Sequence, residues 1–385
     1  MILMQTKALF IDAYRELNAK KLFWISIVLS ALLVVLFASI GYDEDGVSFL
    51  WMNVSFLPFR PSIVSREFFY LEILFSGIGI RFWLTWVITI LALVSTAGVI
   101  PDLIASGTIE TTLSKPISRT RLFLTKYCTG LMFVALQVGA FSIGSFLAIG
   151  IRGGVWEPNL FLAIPIVLAL FSFLFSVSAT IGMITRAAMP ALLITCLLWA
   201  VIFLMNIADA SLLMFKVNSE ILVEQREARI VEITENTTRL IRSERNREEP
   251  GSGDGYEPSM EEIETRNQFL PQIVEGLEDD REDLRQLTFW HNLIFTVKTV
   301  LPKTVETKDL LSKHLVDPSL YPERERNQVE EPEDPNTFVI DQAETEKRMQ
   351  EEMRGRSLLW VLGTSFLFEG VLVLFCLWRF NRRDF

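Results

Sequence analysis

The sequence predicts an all-α polytopic membrane protein with six transmembrane helices, cytoplasmic N and C termini, and a mainly helical extracytoplasmic hairpin domain between helices 5 and 6. Three observations predict this class. The 385 residues have a mean hydropathy of +0.35 and include 29 Phe and 9 Trp, which is more apolar surface than one soluble core needs. The apolar residues are concentrated in six runs, and Lys and Arg cluster at alternate ends of those runs.

Each apolar run is long enough to cross a bilayer as a helix. Crossing takes about 20 predominantly apolar residues, because every backbone donor and acceptor in the hydrocarbon must be paired within the segment. The first run is too long for a cleavable signal peptide and no small-residue cleavage site follows it, so we expect a permanent span. The runs cover residues 22–40, 82–100, 128–151, 160–184, 188–207 and 358–378.

The runs divide the chain into five predicted regions. A cytoplasmic amphipathic interfacial helix comes first, then helices 1–5 with a polar loop, an acidic extracytoplasmic helical domain, helix 6 and a basic cytoplasmic tail. These regions cover residues 1–21, 22–208 with the loop at 101–127, 209–356, 357–378 and 379–385.

The positions of Lys and Arg near the span ends predict the orientation. Cytoplasmic segments of membrane proteins carry an excess of these residues. With six spans, three basic clusters lie on one side, which we therefore predict to be the cytoplasm. They consist of Lys7, Arg15, Lys20 and Lys21; Lys115, Arg119, Arg121 and Lys126; and Arg379, Arg382 and Arg383.

The segment QTKALFIDAYRELNAKKLFW before the first span predicts an amphipathic helix. Its apolar residues recur near helical spacing, and its charges, Arg15 and Glu16 among them, lie largely around the other side. Such a helix can lie in the inner membrane surface. The alternative is a plain helical lead-in to the span.

The run REFFYLEILFSGIGI, which starts at Arg66 in the first outer loop, is too short to cross alone. Glu72 lies within it, and Gly77 and Gly79 lie near its end. We expect an interfacial or re-entrant helix at the outer leaflet.

The predicted extracytoplasmic domain is strongly acidic. Residues 209–356 contain 34 Asp and Glu against 20 Lys and Arg, a net charge of −14, whereas the rest of the chain holds 12 acidic and 16 basic residues, a net of +4. Dense mixing of Glu and Arg along helices is typical of a solvated surface. Two roles stay open for this domain. It docks an outer-face partner or the substrate, or it is only a cap that gates the transporter.

Two charged helices joined by the Gly- and Pro-rich stretch EEPGSGDGYEPS predict an antiparallel hairpin with coiled-coil character. Pro271 interrupts the second helix, and Arg226 and Asp280 occupy seam positions, which disfavours a long regular coiled coil. The predicted apolar seam consists of Val223, Ile230, Ile233, Thr237 and Leu240 in the first helix and Ile263, Leu270, Ile273, Leu277, Leu284 and Leu287 in the second.

Three segments follow the hairpin. The stretch from Phe289 is markedly apolar and predicts a return to the outer membrane surface. Residues 321–336 are acidic and Pro-rich, and we expect a mobile loop. The sequence DQAETEKRMQEEMRGR from Asp341 predicts a charged helix that feeds straight into the last span.

Several function classes find no support in the sequence. The three cysteines, Cys128, Cys196 and Cys376, all lie in predicted spans, and His291 and His314 lack metal-ligand spacing. Phosphate-loop and nucleophile-elbow motifs are absent, and no basic patch supports nucleic-acid binding. We therefore expect no catalytic, cofactor or metal site in this chain.

The loop between the second and third spans, IPDLIASGTIETTLSKPISRTRLFLTKY, has a punctuated pattern. Pro101 and Asp102 suit a helix start, Gly107 interrupts it, and Pro116 ends the one or two helical turns of TIETTLSK. Ser118 can cap the next helix. The pattern predicts a short helix held across the inner surface, although a plain solvated loop whose basic residues only follow the orientation rule is the alternative.

This loop resembles the cytoplasmic loop of ABC-2-type transporter permeases. The N-terminal AYRELNAKKLFW, with Arg15 and Glu16, is similar to that family's opening amphipathic helix, and the ending RFNRRDF is also typical of it. The resemblance covers roughly residues 1–210 and 355–385. The matching loop residues are Asp102, Gly107, Glu110, Leu113, Ser114, Lys115, Pro116, Arg119 and Lys126.

The resemblance implies a function. The short helix would be a coupling helix seated on a separate ABC ATPase subunit, which would hold the ATP and Mg and do the hydrolysis. A permease dimer, of two copies or of this chain with a paralogue, would then export a substrate or extract it from the cytoplasmic (inner) membrane of a bacterium. The insertion of about 150 residues between the fifth and sixth spans departs from the family pattern. An extracytoplasmic partner protein is a further expectation.

Two other functions stay open. The chain could be a membrane-anchored scaffold or sensor whose outer hairpin binds a partner. A secondary transporter would predict paired broken helices and several charges within the membrane, whereas Glu369 is the one charged residue clearly inside a predicted span.

Glu369 lies near the middle of the last span. An ionised carboxylate there costs at least a few kcal/mol, so we expect Glu369 to face the bundle and to be protonated or partnered. Its role is either in gating or substrate contact, or in a structural hydrogen bond to another span.

Overall fold

A computed structural model describes residues 21–43, 46–50, 52–53, 64–104, 118–253, 255–315 and 338–382. Three predicted features lie outside the described residues: the interfacial helix before residue 21, with Arg15 and Glu16; the middle of the polar loop, at 105–117; and the acidic loop at 321–336.

The chain is an all-α polytopic membrane protein, as the sequence predicts. Within the part of the chain that the structure describes, six helices, α1 to α5 and α10, are long and apolar enough to span a membrane. The helices are α1 (Lys21–Ser39), α2 (Arg66–Ile104), α3 (Arg119–Gly153), α4 (Pro158–Thr185), α5 (Ala188–Glu248), α6 (Met260–Arg266), α7 (Leu270–Val300), α8 (Thr304–Leu315), α9 (Gln342–Arg354) and α10 (Leu359–Arg382).

A small antiparallel sheet follows α1, within the predicted first outer loop. Its strands are β1 (Ile40–Asp43), β2 (Gly46–Phe49) and β3 (Met52–Asn53), in the order β1-β2-β3. Asp43 pairs with Gly46 across the first turn, and Gly46 has a φ of 105°, a value that favours glycine.

The helix that contains the second predicted span begins before that span. The run from Arg66 is not a separate interfacial helix: α2 continues from it to Ile104, with π-type hydrogen bonding over Phe69–Ile88 and a turn at 97–98. Gly79 does not break the helix but lets α3 approach, since a Cβ at Gly79 would lie 3.1 Å from Cζ of Phe141. Glu72 and Arg81 both lie on α2 and pair with each other at 2.8 Å.

The structure divides into two units, which we describe separately. The membrane unit comprises residues 1–204, 298–323 and 358–385, and the insertion unit comprises residues 205–297 and 324–357. In the membrane unit, α3 and α4 supply many of the fully buried aromatic rings, among them Phe123, Phe133, Phe141, Phe171 and Phe175.

The membrane unit also contains part of the insertion. Helix α8 packs against α4 and α2, with Leu310, Leu311 and Leu315 buried. The return of the stretch from Phe289 to the outer membrane surface stays a prediction: residues 289–297 belong to the insertion unit, and α8 follows them in the membrane unit.

The insertion unit contains the predicted hairpin. α5 runs unbroken from the fifth span to Glu248, and α7 returns alongside it. Arg226 and Asp280, the two charges at seam positions, form an ion pair with each other at 2.6 Å. A Cβ at Gly276 would lie only 2.3 Å from Nη1 of Arg226, so the missing side chain makes room for the guanidinium.

The seam prediction is correct at the start of the second arm, which consists of α6 and α7 and not of one helix, and wrong at one end of the first arm; Leu284 and Leu287, later in the second arm, are only half-buried. Ile263, Leu270 and Ile273 are buried, but Leu240 is 63% exposed while its neighbour Ile241 is 5% exposed. A straight α-helix drifts by about 20° per heptad from a strict 3.5-residue repeat, which moves the buried stripe toward the next residue.

Helix α9 packs on the first part of α5 in this unit. Arg348 donates two hydrogen bonds to the Glu224 carboxylate, at 2.8 and 2.9 Å, and Met349 and Met353 cover an apolar cluster around Val217. The predicted charged helix is therefore present. It does not feed straight into the last span, because residues 355–357 separate α9 from α10.

Candidate functional site

Polar contacts hold α10 to its neighbours at its start, its middle and its end. All of them lie in the membrane unit. We call this series of contacts the α10 seam. At the middle of α10 the seam includes Glu369, which the sequence singles out. At the C-terminal end of α10 it includes Arg119 of α3, which flanks the predicted coupling segment.

Glu369 lies at the middle of the seam. The Tyr127 hydroxyl of α3 donates to Oε1 of Glu369 at 2.8 Å, and Oγ of Ser172 on α4 lies 2.8 Å from Oε2. Tyr127 and Ser172 are both buried. The expectation that Glu369 faces the bundle and has partners is confirmed.

The hydrogen count favours a protonated carboxyl group. The single Ser172 hydroxyl hydrogen has two acceptors within reach, because Oγ is also 2.8 Å from the Ala169 carbonyl oxygen. If Glu369 carries a proton, it donates to Ser172, Ser172 donates to Ala169 and Tyr127 donates to Glu369. Every hydrogen-bonding group is then satisfied without a buried charge, which avoids the cost of ionisation in the membrane interior.

Aromatic rings connect this cluster with the start of α3. Phe123 lies one helical turn before Tyr127, with ring centroids 6.3 Å apart, and packs on Phe380 of α10 at 5.9 Å. On its other side Tyr127 stacks on Phe175 of α4 at 5.0 Å. Densely packed rings of this kind transmit displacement because they leave little free volume.

The C-terminal end of α10 contacts the first turn of α3. Nη1 of Arg119 donates to the Asn381 carbonyl oxygen at 3.4 Å, and the Asn381 side-chain amide donates to the Thr120 hydroxyl at 3.0 Å. These contacts bring the flank of the predicted coupling segment to the end of the last span.

The beginning of α10 contacts the insertion segment that lies in the membrane unit. Lys303 is fully buried and donates to the Thr299 carbonyl oxygen at 2.5 Å and to the Thr364 hydroxyl; its backbone N–H donates to Oγ of Ser365 at 3.0 Å. Burial lowers the pKa of Lys303 to about 8, since it removes the ammonium from water.

The structure describes four of the residues proposed from the sequence. Asp102 is exposed on the last short helix of α2 (Val99–Ile104), and Arg119 and Lys126 lie on the first two turns of α3. α3 thus begins before the predicted third span, and Ser118 is its N-cap residue but makes no side-chain capping bond. Glu369 is the fourth. Gly107, Glu110, Lys115 and Pro116 lie outside the described residues.

Sequence reasoning missed the partners in the seam. No motif marks these residues. Tyr127 and Ser172 contact Glu369, Lys303 contacts the start of α10, and Asn381 lies at its end. The available signal was weak: Ser172 and Tyr127 are hydrogen-bonding residues in or beside apolar runs. Their sequence positions do not identify which span they face.

We expect Gly130→Ala to disturb the packing of the aromatic rings in the α10 seam. A Cβ at Gly130 would lie 2.6 Å from Cζ of Phe175, the ring that stacks on Tyr127, and overpacking of this kind costs about 1–3 kcal/mol. The thermal unfolding midpoint of the purified chain should fall. Gly139→Ala is the matched control on the same helix, since nothing lies within 4 Å of its Cβ position, and it should leave the midpoint unchanged or raise it. Equal midpoints for the two variants would contradict this packing.

Comparison with known proteins gives one family match. The profile of a family described as "ABC-2 family transporter protein" matches residues 15–270, about two-thirds of the chain. The match includes the first five membrane-spanning helices and continues through the first arm of the hairpin to the start of α7. No curated protein and no solved structure matches significantly.

Proposed function

The chain belongs to the ABC-2 family of transporter proteins, and from this premise we propose that it is the permease subunit of an ATP-driven exporter whose ATP is hydrolysed by a separate ATPase subunit. Membership of this family shows that the chain is a transmembrane component of a transporter. The proposal adds that substrate moves across or out of the cytoplasmic membrane of a bacterium. The ATP and Mg would be bound by the partner and not by this chain.

The observation that carries the proposal is the α10 seam. A coupling segment is useful only if its displacement reaches the membrane-spanning helices. From Arg119 the contacts continue along one face of α3 at intervals of four residues, to Phe123 and Tyr127, and each of these three residues meets α10. These contacts of the α10 seam support transmission of a displacement of the loop to the last span.

The other flank of the loop is also packed in the membrane unit. Ile100, Leu103 and Ile104 are buried. A Cβ at Gly182 of α4 would lie 2.9 Å from Cγ of Pro101, so the two helices are in close contact there. A segment anchored at both ends in the core supports coupling better than a freely solvated loop does.

The proposed assembly contains two permease chains, either copies of this one or this chain with a paralogue, and two ATPase subunits on the cytoplasmic face. In this orientation the insertion unit is extracytoplasmic, where it could meet a further protein.

Purification of the tagged chain from its native membrane tests the proposal. We expect an ATP-hydrolysing subunit with a phosphate-loop sequence to co-purify in stoichiometric amount, and the complex to hydrolyse ATP. A chain that purifies without an ATPase after mild detergent extraction and chemical cross-linking would overturn the proposal and favour the membrane-anchored scaffold or sensor.

A further inference from the structure

The insertion unit has an inverted distribution of charged and apolar side chains at the end where α5 enters it. Three segments form this end, and we call them together the base: residues 205–215 of α5, residues 289–297 of α7 and residues 355–357 after α9. Contacts of Asp209 join the three segments. Nη2 of Arg356 donates to Oδ2 of Asp209 at 3.1 Å, and Nε2 of His291 lies 3.4 Å from Oδ1 of the same carboxylate.

These charged groups lie in the interior of the base. Asp209 is 3% exposed, and His291 and the side chain of Arg356 are also buried. The guanidinium carbon of Arg356 lies 5.3 Å from the centre of the Phe295 ring. Charged side chains within a membrane are placed in the same way, because they face the interior of a helix bundle and pair with one another.

The outer surface of the base is apolar. Large apolar side chains of both helices are exposed there: Ile207, Met214 and Phe215 of α5, and Phe289, Trp290, Leu293 and Val297 of α7. On α7, Phe289, Leu293 and Val297 form a stripe with one residue per helical turn. Asp209 is the only Asp, Glu, Lys or Arg in either helical segment of the base. An exposed apolar surface of this kind marks contact with a membrane or with another protein.

The length of α5 indicates that lipid covers this surface. From its start at Ala188 to Phe215, α5 contains 28 residues and is about 42 Å long at a rise of 1.5 Å per residue. The predicted span, residues 188–207, matches the hydrocarbon core of about 30 Å. Residues 208–215 add about 12 Å, which is enough to cross the headgroup region where the fifth span ends.

Exposed charge reappears just beyond the apolar surface. Lys216 directly follows Phe215, and its Nζ lies 3.5 Å from Oε1 of Glu352 on α9. On α7 the nearest exposed charged residue before the base is Arg285, one turn before the stripe. Trp290 lies near this boundary, and tryptophan is enriched where helices pass the headgroups. The order of apolar, aromatic and charged residues is that of helices leaving a bilayer.

We propose that the base is embedded in the membrane leaflet in which the fifth span ends, and that lipid covers its exposed apolar side chains. α7 runs antiparallel to α5, and His291 lies beside Asp209. Val297 is therefore the deepest residue of the stripe, and Phe289 is the nearest to water.

This placement changes the boundary of the domain predicted from the sequence. The ion pair of Asp209 with Arg356 lies within the membrane boundary, where the helices of the base separate it from lipid. The part of the insertion that contacts water begins at Lys216 and not at residue 209. Lipid contact of the base does not depend on association with an ATPase.

Fluorescence quenching in lipid vesicles tests the proposal. The three native cysteines of the full chain are replaced by serine, and the single variants Phe289→Cys, Leu293→Cys and Val297→Cys are labelled with an environment-sensitive nitrobenzoxadiazole dye. The vesicles consist of phosphatidylethanolamine and phosphatidylglycerol. We expect lipids with a nitroxide on the acyl chain to quench the dye increasingly from position 289 to 293 to 297.

Leu240→Cys is the matched control, since Leu240 is an exposed apolar residue of α5 beyond the base. The acyl-chain nitroxide should quench its dye about half as much as that of Val297→Cys or less, because acyl chains are confined to the hydrocarbon core. Aqueous iodide should quench it more. Preferential quenching of Leu293→Cys and Val297→Cys by iodide would show contact with water and overturn the proposal. Protection of both from either quencher would show that protein covers the base, and would overturn it equally.

A second pair of variants keeps the native cysteines. Leu293→Glu should lower the thermal unfolding midpoint of the chain in lipid nanodiscs by several degrees, because a carboxylate that faces lipid loses its hydration. Leu240→Glu should leave the midpoint unchanged, since its side chain remains in water. Circular dichroism measures both transitions. Equal midpoints for the two variants would contradict lipid contact of the stripe.

Discussion

Reversing the charge at Lys115 and Arg119 together is expected to weaken association with the ATPase subunit by about tenfold or more. Both residues belong to the sequence pattern on which the proposed coupling segment rests, and opposite charge across the proposed interface becomes like charge after the reversal. A tenfold loss corresponds to about 1.4 kcal/mol. The measurement is the Kd of the detergent-solubilised chain for the purified ATPase, at two salt concentrations, since screening should reduce the difference.

Two comparisons make this result specific. Arg186→Glu introduces the charge change of one of the two reversals between α4 and α5, on the predicted cytoplasmic face, and should bind the ATPase as the wild type does. Lys115→Glu alone should also weaken binding, and because it leaves the contact of Arg119 with Asn381 in place, its effect cannot come from loss of that contact. Unchanged binding by the double variant would refute the docking role of the segment.

Replacing Glu369 by Gln is expected to impair coupled transport while leaving the fold nearly intact. Glutamine retains an oxygen that accepts from Tyr127 and a nitrogen that donates to Ser172, so the hydrogen bonds can persist, but it cannot exchange a proton. Until the substrate is known, the readout is the ATPase activity of the complex reconstituted in liposomes, beside the thermal unfolding midpoint. A fully active Glu369→Gln variant would leave this residue with a structural role alone.

Removing the carboxyl group should affect stability as well. In Glu369→Leu the buried hydroxyl of Tyr127 loses its 2.8 Å acceptor and keeps only the Ser172 carbonyl oxygen at 3.2 Å, and loss of one such hydrogen bond costs about 0.5–1.5 kcal/mol. Ser172→Ala should weaken the same cluster. Ser176→Ala is its matched control one turn later on α4: Oγ of Ser176 also bonds a carbonyl oxygen three residues earlier, that of Phe173, but, among the residues that the structure describes, it has no hydrogen bond to α10. Equal effects of the two serine variants would argue against a special role of the cluster.

Local patterns predicted the features that depend on local physics. The apolar runs located the six spans because a helix in hydrocarbon must satisfy its own backbone, whatever its neighbours are. The heptad residues of α7 and the Gly- and Pro-rich break predicted the hairpin. The boundaries were less accurate: α2 starts at Arg66 because its glycines serve close packing instead of ending the helix.

The sequence by itself determined the spans, the acidic character of residues 209–356, the family and the presence of one costly carboxyl group in the last span. The tertiary structure alone decided which residues form hydrogen bonds with that carboxyl group. Tyr127 and Glu369 are 242 residues apart, as Arg119 and Asn381 are 262 apart, and in each pair the partner is chosen by the packing of α3 against α10. A hydropathy pattern records which residues avoid water, and only the arrangement of the helices determines which polar groups satisfy one another.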